Sequence, residues 1–212
     1  EVVESEHPVD ICLDITMEDA SHCEPFPAPF KIFSFDLETS IAHDTILCAA
    51  AVIEDMGTRE RTRHTFAGEE ESILRELTQL IRSSDPDIIT GYNIDNFDMG
   101  RISDRANLIS KRDKSLKVAT MGWGRVSTSE EGRRRDTLFP TRGTARAWNL
   151  GGRCVMDAWW QARQALRPQR ETLKFVSNLL FPDDEEMQKM DVDASKMDEE
   201  WAARPDVVVE YC

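Results

Sequence analysis

The chain has 212 residues, of which 40% are hydrophobic and 31% charged, and its formal net charge at pH 7 is −14. This length is sufficient to bury a full core, and it favours one domain, or one domain with a fragment of another. No apolar run approaches the length needed to span a bilayer, and no signal peptide opens the sequence. Five cysteines without a Cys-x-x-Cys spacing indicate reduced thiols and argue against a zinc site.

The negative charge is distributed unevenly along the chain. Residues 111–174 contain fifteen Lys and Arg against six Asp and Glu, whereas residues 1–100 contain six against twenty-two. The basic middle segment of the chain could bind a polyanion near an acidic centre, but a solvent-exposed surface explains this charge distribution equally well. Charge alone therefore leaves a nucleic-acid partner open without requiring one.

The two ends of the chain predict a piece excised from a longer protein. Residues 1–29 are acidic and contain Pro25, Pro27 and Pro29, which favour an extended lead-in after the tail of a preceding domain. The sequence does not begin with Met, and its last residues are apolar with no stop signal. We therefore expect one domain over residues 30–212.

The first predicted elements are an antiparallel meander of three strands, followed by a helix and a fourth strand. Residues 31–39 alternate in polarity, residues 46–53 are an apolar run typical of a central strand, and residues 61–66 complete an antiparallel meander. Helical spacing follows in Ile73, Leu74, Leu77, Leu80 and Ile81. A short buried strand is then predicted over residues 88–91, so the sequence indicates an α/β fold with a mixed sheet flanked by helices.

Two acids share one face of the first strand. Because side chains alternate along a strand, Asp36 and Glu38 point to the same side while Phe33, Phe35 and Leu37 point into the core. Their Cβ atoms would lie about 7 Å apart, within reach of a common cation. A hard divalent ion such as Mg²⁺ or Mn²⁺ would make this pair of charges tolerable. The alternative is a solvated edge of the sheet.

A second acid-rich stretch follows the strand at residues 88–91. Asp98 would lie in the first turn of a helix, at the end of a parallel strand where open α/β sheets place their ligands. Asp95 and Asn96 are both candidates for the helix cap. Asp98 therefore stands out as a site residue, whereas the other two are expected only to cap.

The middle of the chain, residues 113–153, lacks any sustained period and predicts mostly loop. Arg133, Arg134 and Arg135 are either phosphate contacts or solvated loop charges. Trp123 and Trp148 either stack on bases or anchor the packing. The sequence does not decide between these alternatives.

The remaining residues predict a strand, two helices and an ambiguous last stretch. Residues 151–157 form a strand that enters a helix, with Asp157 as a structural acid, and another helix follows near residues 173–180. The last stretch is ambiguous, because Val207, Val208 and Val209 have strand character while Pro205 is typical of a helix start.

The motifs FDLET at residues 35–39 and NIDNFD at residues 93–98 resemble the first two exonuclease motifs of the family B DNA polymerases, the archaeal and eukaryotic delta-like group. The resemblance extends over about residues 30–212. It implies a ribonuclease H-like fold and proofreading 3′ to 5′ exonuclease chemistry within a polymerase. It also favours a helix at the end of the chain, because residues 208–212 resemble the start of the third motif, in which an aspartate follows a tyrosine after three residues.

The resemblance assigns roles to residues at the matching positions. Asp36 would bridge two divalent cations (Mg²⁺ or Mn²⁺), Glu38 and the third motif's aspartate would complete one site, and Asp98 would serve the other. Tyr211 would orient the attacking water, while Asn93 and Phe97 would position the 3′ end. The last aspartate would fall three positions beyond Cys212. We therefore expect this chain to be weakly active or inactive.

The implied partners are the single-stranded 3′ end of primer DNA and the remaining polymerase domains, with a sliding clamp as a further candidate and no membrane. The implied location is the nucleus in a eukaryote or the cytoplasm in an archaeon. Alternatives are a non-catalytic ribonuclease H-like scaffold, a single-strand DNA-binding module of a polymerase, or a stand-alone nuclease.

Overall fold

The computed structural model describes residues 13–26, 28–112, 123–125, 128–130, 133–135, 141–142, 148–184 and 192–212. Its strands are β1 (Lys31–Thr39), β2 (Ile46–Asp55), β3 (Arg61–Ala67), β4 (Ile88–Gly91), β5 (Thr128–Glu130), β6 (Arg133–Arg135), β7 (Thr141–Arg142), β8 (Trp148–Asn149) and β9 (Cys154–Asp157). Its helices are α1 (Glu70–Ser84), α2 (Asp98–Arg112), α3 (Ala158–Leu166), α4 (Leu173–Leu180), α5 (Met197–Ala203) and α6 (Pro205–Tyr211).

A five-stranded mixed sheet with the order β3-β2-β1-β4-β9 organises the fold. β1, β2 and β3 form the predicted antiparallel meander, and β4 and β9 add parallel strands on the other side of β1. The predicted fold class is therefore confirmed. Because β1, β4 and β9 run in the same direction, their C-terminal ends meet at one edge of the sheet, which we call the C-terminal edge.

The alternation predicted for β1 is also confirmed. Phe33, Phe35 and Leu37 are at most 3% exposed, while Asp36 and Glu38, on the opposite face, are half-buried. The buried side packs in one core with apolar residues of α1 and α2. Packing of both helices on one face leaves the acidic face available for other contacts.

α3 and α4 form where the sequence predicts helices, whereas α5 was not predicted. Asp157 caps α3, and Thr172 caps α4 by accepting a hydrogen bond from the Phe175 backbone N–H at 3.3 Å. Pro205 starts α6, which resolves the ambiguity at the end of the chain in favour of the helix. Proline fits this position because the first helical N–H has no partner within the helix.

Residues 113–153 contain more structure than predicted. β5 pairs with β6 and β7 with β8 in two short antiparallel ladders, and the rest of this stretch falls largely outside the described residues. Trp123 and Trp148 are packing anchors: they are 0% and 8% exposed. The Trp123 indole N–H donates to the Thr78 hydroxyl at 3.0 Å and that of Trp148 to the Asp95 carbonyl at 3.0 Å. Contact of the Arg133 to Arg135 side chains with phosphate stays a prediction.

The predicted lead-in over residues 1–29 is described only in part. Within its described portion Leu13, Ile15 and Phe26 are exposed. In the described part of the chain, none of the helices combines the length and the apolar character needed to cross a bilayer.

Candidate active site

A cavity of about 480 Å³ opens at the C-terminal edge of the sheet. All six predicted site residues line it: Asp36, Glu38, Asn93, Phe97, Asp98 and Tyr211. They come from β1, from the segment between β4 and α2, from the start of α2 and from the end of α6. The fold therefore brings together side chains that lie far apart in the sequence.

Asp98 is the most deeply buried of the acids. Its side chain is at the first position of α2 and only 1% exposed, and its Oδ1 atom has no hydrogen-bond partner among the described residues. Burial raises the pKa of Asp98 well above its ordinary value, and the negative charges of Asp36 and Glu38 raise it further. Hydrogen bonds from its own backbone N–H and that of Leu37 lower it only in part. The three carboxylates therefore interact electrostatically across one cavity.

The segment before α2 depends on a close approach between β4 and β1. A Cβ atom on Gly91 would lie 2.4 Å from the Phe35 carbonyl oxygen and 2.4 Å from Cγ2 of Ile94, so only glycine fits without a shift. Asn93 then takes a left-handed conformation with φ of 66°. This turn directs the chain from the end of β4 towards the start of α2.

Asp157 fixes the same segment by accepting hydrogen bonds from three backbone N–H groups. Its Oδ1 accepts from Asn93 at 2.8 Å and from Trp159 at 2.8 Å, and its Oδ2 accepts from Asp95 at 3.0 Å. The carboxylate is 3% exposed, so these bonds form away from water, where they are strong. The prediction that Asp157 is a structural acid is confirmed, and its contacts fix the backbone at Asn93 and Asp95, in the turn that leads to α2.

Phe97 and Asn93 lie on the rim of the cavity. The Phe97 side chain is 40% exposed although it is large and apolar, and the Asn96 side-chain amide donates to Asn93 Oδ1 at 2.8 Å. An exposed aromatic ring can stack on a base, and a neighbouring amide can form a hydrogen bond to the same base. Both features are compatible with binding of a nucleotide.

The C-terminal helix closes another side of the cavity. Val208 anchors α6 in a second small core with Cys48 and Met197, and Tyr211 and Cys212 pack against that core. The Cys212 thiol contacts the Asp36 carbonyl oxygen at 3.5 Å. Tyr211 is thereby held at the cavity, adjacent to β1.

Sequence reasoning overlooked Arg101, a cationic cavity residue that lies one helical turn after Phe97. Its guanidinium lies 5.6 Å from the centre of the Phe97 ring and forms an ion pair with Asp44 at 2.9 Å. The spacing of four residues between Phe97 and Arg101, at the start of α2, could have revealed the shared face. The pairing with Asp44 depends on the turn after β1 and could not be read from spacing.

The residues of the cavity are chemically suited to a divalent cation. Hard ions take oxygen ligands. A divalent cation would give the buried Oδ1 atom of Asp98 a partner and would reduce the mutual repulsion of the three carboxylates. As the side chains stand, however, no group of three His, Cys, Asp or Glu within the described ranges is arranged to hold a metal ion. The fit therefore lies in the donor chemistry and not in a completed ligand cluster.

The sheet, its flanking helices and the acidic cavity define an α/β domain with a ribonuclease H-like fold. The fold is similar to that of the family B DNA polymerase from the hyperthermophilic archaeon Pyrobaculum calidifontis, with a TM-score of 0.65 and 19% sequence identity. That match covers 89% of this chain and 23% of the archaeal chain.

The sequence profile of the DNA polymerase family B exonuclease domain matches residues 65–176. The chain belongs to this family. It is 26% identical to the DNA polymerase delta catalytic subunit of Candida albicans over 178 residues, which is 71% of this chain, and 29% identical to that of Dictyostelium discoideum over 155 residues, which is 59%. The matched regions span 16% and 13% of those relatives. The resemblance to family B polymerases is therefore confirmed.

Proposed function

We propose that this domain is a proofreading 3′ to 5′ exonuclease that hydrolyses the 3′-terminal phosphodiester of DNA. One observation supports this above all others: Asp36, Glu38 and Asp98 line a single cavity in a domain of the family B exonuclease family. Hydrolysis breaks the bond to the 3′-terminal nucleotide, adds water, and leaves a new 3′ hydroxyl and a nucleoside monophosphate.

The three carboxylates would hold two divalent cations, Mg²⁺ or Mn²⁺. Such ions would supply the positive charge that hydrolysis of a phosphodiester requires. Asp98 has an unpartnered oxygen and a raised pKa, both of which favour a cation nearby. The roles of Asp36 and Glu38 rest on their position on the same face of β1.

The remaining site residues would orient the reactants. Tyr211 would orient the attacking water through its hydroxyl, the Phe97 ring would stack on the terminal base, and Asn93 would hydrogen-bond to the same nucleotide. Because these contacts involve base faces and backbone, the sequence of the DNA should matter little. The exposed ring of Phe97 supports its assignment.

The substrate would be the frayed 3′ end of a primer strand, and the partners would be the remaining domains of a polymerase, with a sliding clamp as a further candidate. We place the lead-in at residues 1–29 and the nuclease domain at residues 30–212. The similarity to eukaryotic delta subunits favours a nuclear location over an archaeal cytoplasm.

The 212-residue chain should cleave single-stranded DNA weakly or not at all, because the family pattern puts a fourth acid three positions beyond Cys212. The test is an exonuclease assay with Mn²⁺ that compares this chain with a longer one that supplies that aspartate. The matched control carries asparagine at the added position. Vigorous cleavage by all three proteins would show that the fourth acid is unnecessary and that the assigned roles are wrong.

A second candidate is a non-catalytic scaffold or a single-strand DNA-binding module. The finding that favours it is the lack of a completed three-acid cluster among the residues that the structure describes. Thermal unfolding of the longer chain with and without Mn²⁺ separates the two. A nuclease site should be stabilised by the metal, whereas a scaffold should unfold at the same temperature in both conditions.

A further inference from the structure

The Arg101 side chain lies at the rim of the acidic cavity. It projects from α2 one turn after Phe97, and the backbone N–H of Arg101 donates to the Phe97 carbonyl at 2.9 Å, which fixes their shared face. The guanidinium lies 5.6 Å from the centre of the Phe97 ring. An arginine over an aromatic ring at a binding cavity presents a flat surface and a positive charge together.

The cavity would repel DNA if its acids were left alone. Among the described residues that line it, four are acidic, namely Asp36, Glu38, Asp44 and Asp98, and Arg101 is the cationic one. A strand that enters carries a negative charge on every phosphate. A positive group at the rim would favour entry of the strand, and Arg101 is in a position to supply it.

The present partner of Arg101 is readily exchanged. Arg101 Nη1 pairs with Asp44 Oδ1 at 2.9 Å, but the Asp44 side chain is 66% exposed and lies in the turn after β1. An ion pair with such an exposed carboxylate contributes little to the stability of the fold. A phosphate oxygen can replace the Asp44 carboxylate while the guanidinium stays on the Phe97 ring.

The next arginine on α2 shows the contrast. Arg105 donates two hydrogen bonds of 2.6 Å to the Glu70 carboxylate, and both side chains are nearly buried, at 11% and 14% exposed. Glu70 also accepts from the Ile46 backbone N–H at 2.9 Å. The buried Arg105–Glu70 pair thus holds α1, α2 and β2 together, whereas Arg101 pairs with an exposed side chain in a turn.

We propose that Arg101 binds a phosphate of the single-stranded DNA substrate and releases Asp44 as it does so. This inference rests on the proposed function, because it assigns a contact to the strand that the cavity would cleave. It adds a cationic substrate contact to a site otherwise built from acids, an amide and aromatic rings.

The test is binding of a fluorescein-labelled oligodeoxythymidylate to the 212-residue chain, measured by fluorescence anisotropy in Ca²⁺ over a series of salt concentrations. Arg101→Met should weaken binding about tenfold at low salt, because it removes a charge-assisted hydrogen bond. It should also reduce the slope of log affinity against log salt by about 0.7, the value for one phosphate contact on a single strand. Circular dichroism checks that each variant is folded.

Two further variants separate a phosphate contact from a structural role. Asp44→Asn breaks the same ion pair but keeps the Arg101 charge and removes a negative one, so it should tighten binding about twofold. Arg75→Met removes a positive charge from the exposed surface of α1, where Arg75 pairs with Glu71, and should leave the salt slope unchanged.

Each outcome decides the proposal. If Arg101→Met and Asp44→Asn both weaken binding, or if the salt slope of Arg101→Met equals that of the wild type, the ion pair is merely structural and the proposal is wrong while the proposed function stands. If neither the 212-residue chain nor the chain extended past the third motif binds the oligonucleotide, the proposed function fails and this contact fails with it.

Discussion

The two ends of the parallel strands carry acidic groups in opposite electrostatic situations. At the N-terminal edge, Arg125 pairs with Asp85 and Asp87, each at 2.8 Å, and Arg153 pairs with Asp85 at 2.7 Å. At the C-terminal edge, Asp98 is buried beside two further carboxylates, and its Oδ1 atom lacks a hydrogen-bond partner among the described residues. The same sheet thus holds acids that arginines neutralise at one end and a buried acid beside like charges at the other.

The pKa values report this difference directly. The hydrogen bond from Arg125 lowers the pKa of Asp85, and Arg153 lowers it further. Burial raises the pKa of Asp98, and the neighbouring charges of Asp36 and Glu38 add to the increase. The N-terminal edge therefore gains stability from its charges, whereas the C-terminal edge loses stability unless a cation is bound.

This difference separates structural contacts of the fold from its candidate site. Arg153 also donates to the Trp123 carbonyl at 2.5 Å and to the Pro86 carbonyl, so the N-terminal edge ties the middle of the chain to the sheet. A buried carboxylate with a raised pKa in a cavity marks a candidate functional site. Three predictions, from the largest expected effect to the smallest, test this contrast.

The largest effect is expected from Asp36→Ala in the chain extended past the third motif. Loss of this carboxylate should reduce cleavage of single-stranded DNA by about a thousandfold or more, because under the proposed function Asp36 helps to hold a cation whose charge is worth several kcal/mol. The fold should survive, since Asp36 lies on the half-buried face of β1. Cleavage rates in Mn²⁺ measure the effect.

The matched control is Asp85→Ala, which removes a carboxylate from the N-terminal edge of the same sheet. It should leave the cleavage rate of the folded protein within about twofold of the wild type. An Asp36→Ala protein that retains full activity would remove Asp36 from the site and would end the contrast between the two edges.

The second-largest effect is expected on the stability of the metal-free protein when Asp98 is replaced. Asp98→Asn should raise the free energy of unfolding by about 1–3 kcal/mol at pH 7 in EDTA, because it removes a buried negative charge. The pKa of the folded state lies above the unfolded value of about 3.9. The wild-type penalty is therefore absent below about pH 4 and grows as pH rises through the raised pKa.

Urea unfolding at several pH values measures this difference. The increase in the free energy of unfolding caused by Asp98→Asn should become smaller as the pH is lowered. Added Mn²⁺ should stabilise the wild type but not the variant. Asp104→Asn, which changes an exposed carboxyl on the same helix, serves as the control and should alter neither quantity. A destabilising effect of Asp98→Asn in EDTA at pH 7 would contradict the prediction.

The smallest effect is expected at the N-terminal edge and has the opposite sign. Asp85→Asn should lower the free energy of unfolding at pH 7 by about 0.5–1 kcal/mol, a modest value because the Asp85 side chain is 58% exposed. The pKa of Asp85 is lowered in the folded state, so its contribution is present above about pH 3.9 and is lost as pH falls through the lowered pKa. The same urea experiment measures it, and equal stability of both proteins at pH 7 would show that the ion pairs are dispensable.

Local sequence patterns specify much of the candidate site. The alternation in residues 31–39 predicts Asp36 and Glu38 on one face, and the helical period after residue 98 predicts Asp98 at a helix start; both placements are confirmed. These patterns suffice because a side chain's face depends only on its position within a strand or helix. The metal-binding and catalytic roles of these residues stay predictions.

Tertiary packing establishes which charges are paired. Arg125 and Asp85 are 40 residues apart in the chain, and no periodicity indicates that they meet or that Trp123 is fully buried. The same holds for the pairing of Arg101 with Asp44 and for the orphaned oxygen of Asp98. Contacts between distant segments depend on how the connections fold back on the sheet, and that path is set by the packing of the whole core and not by any one stretch of sequence.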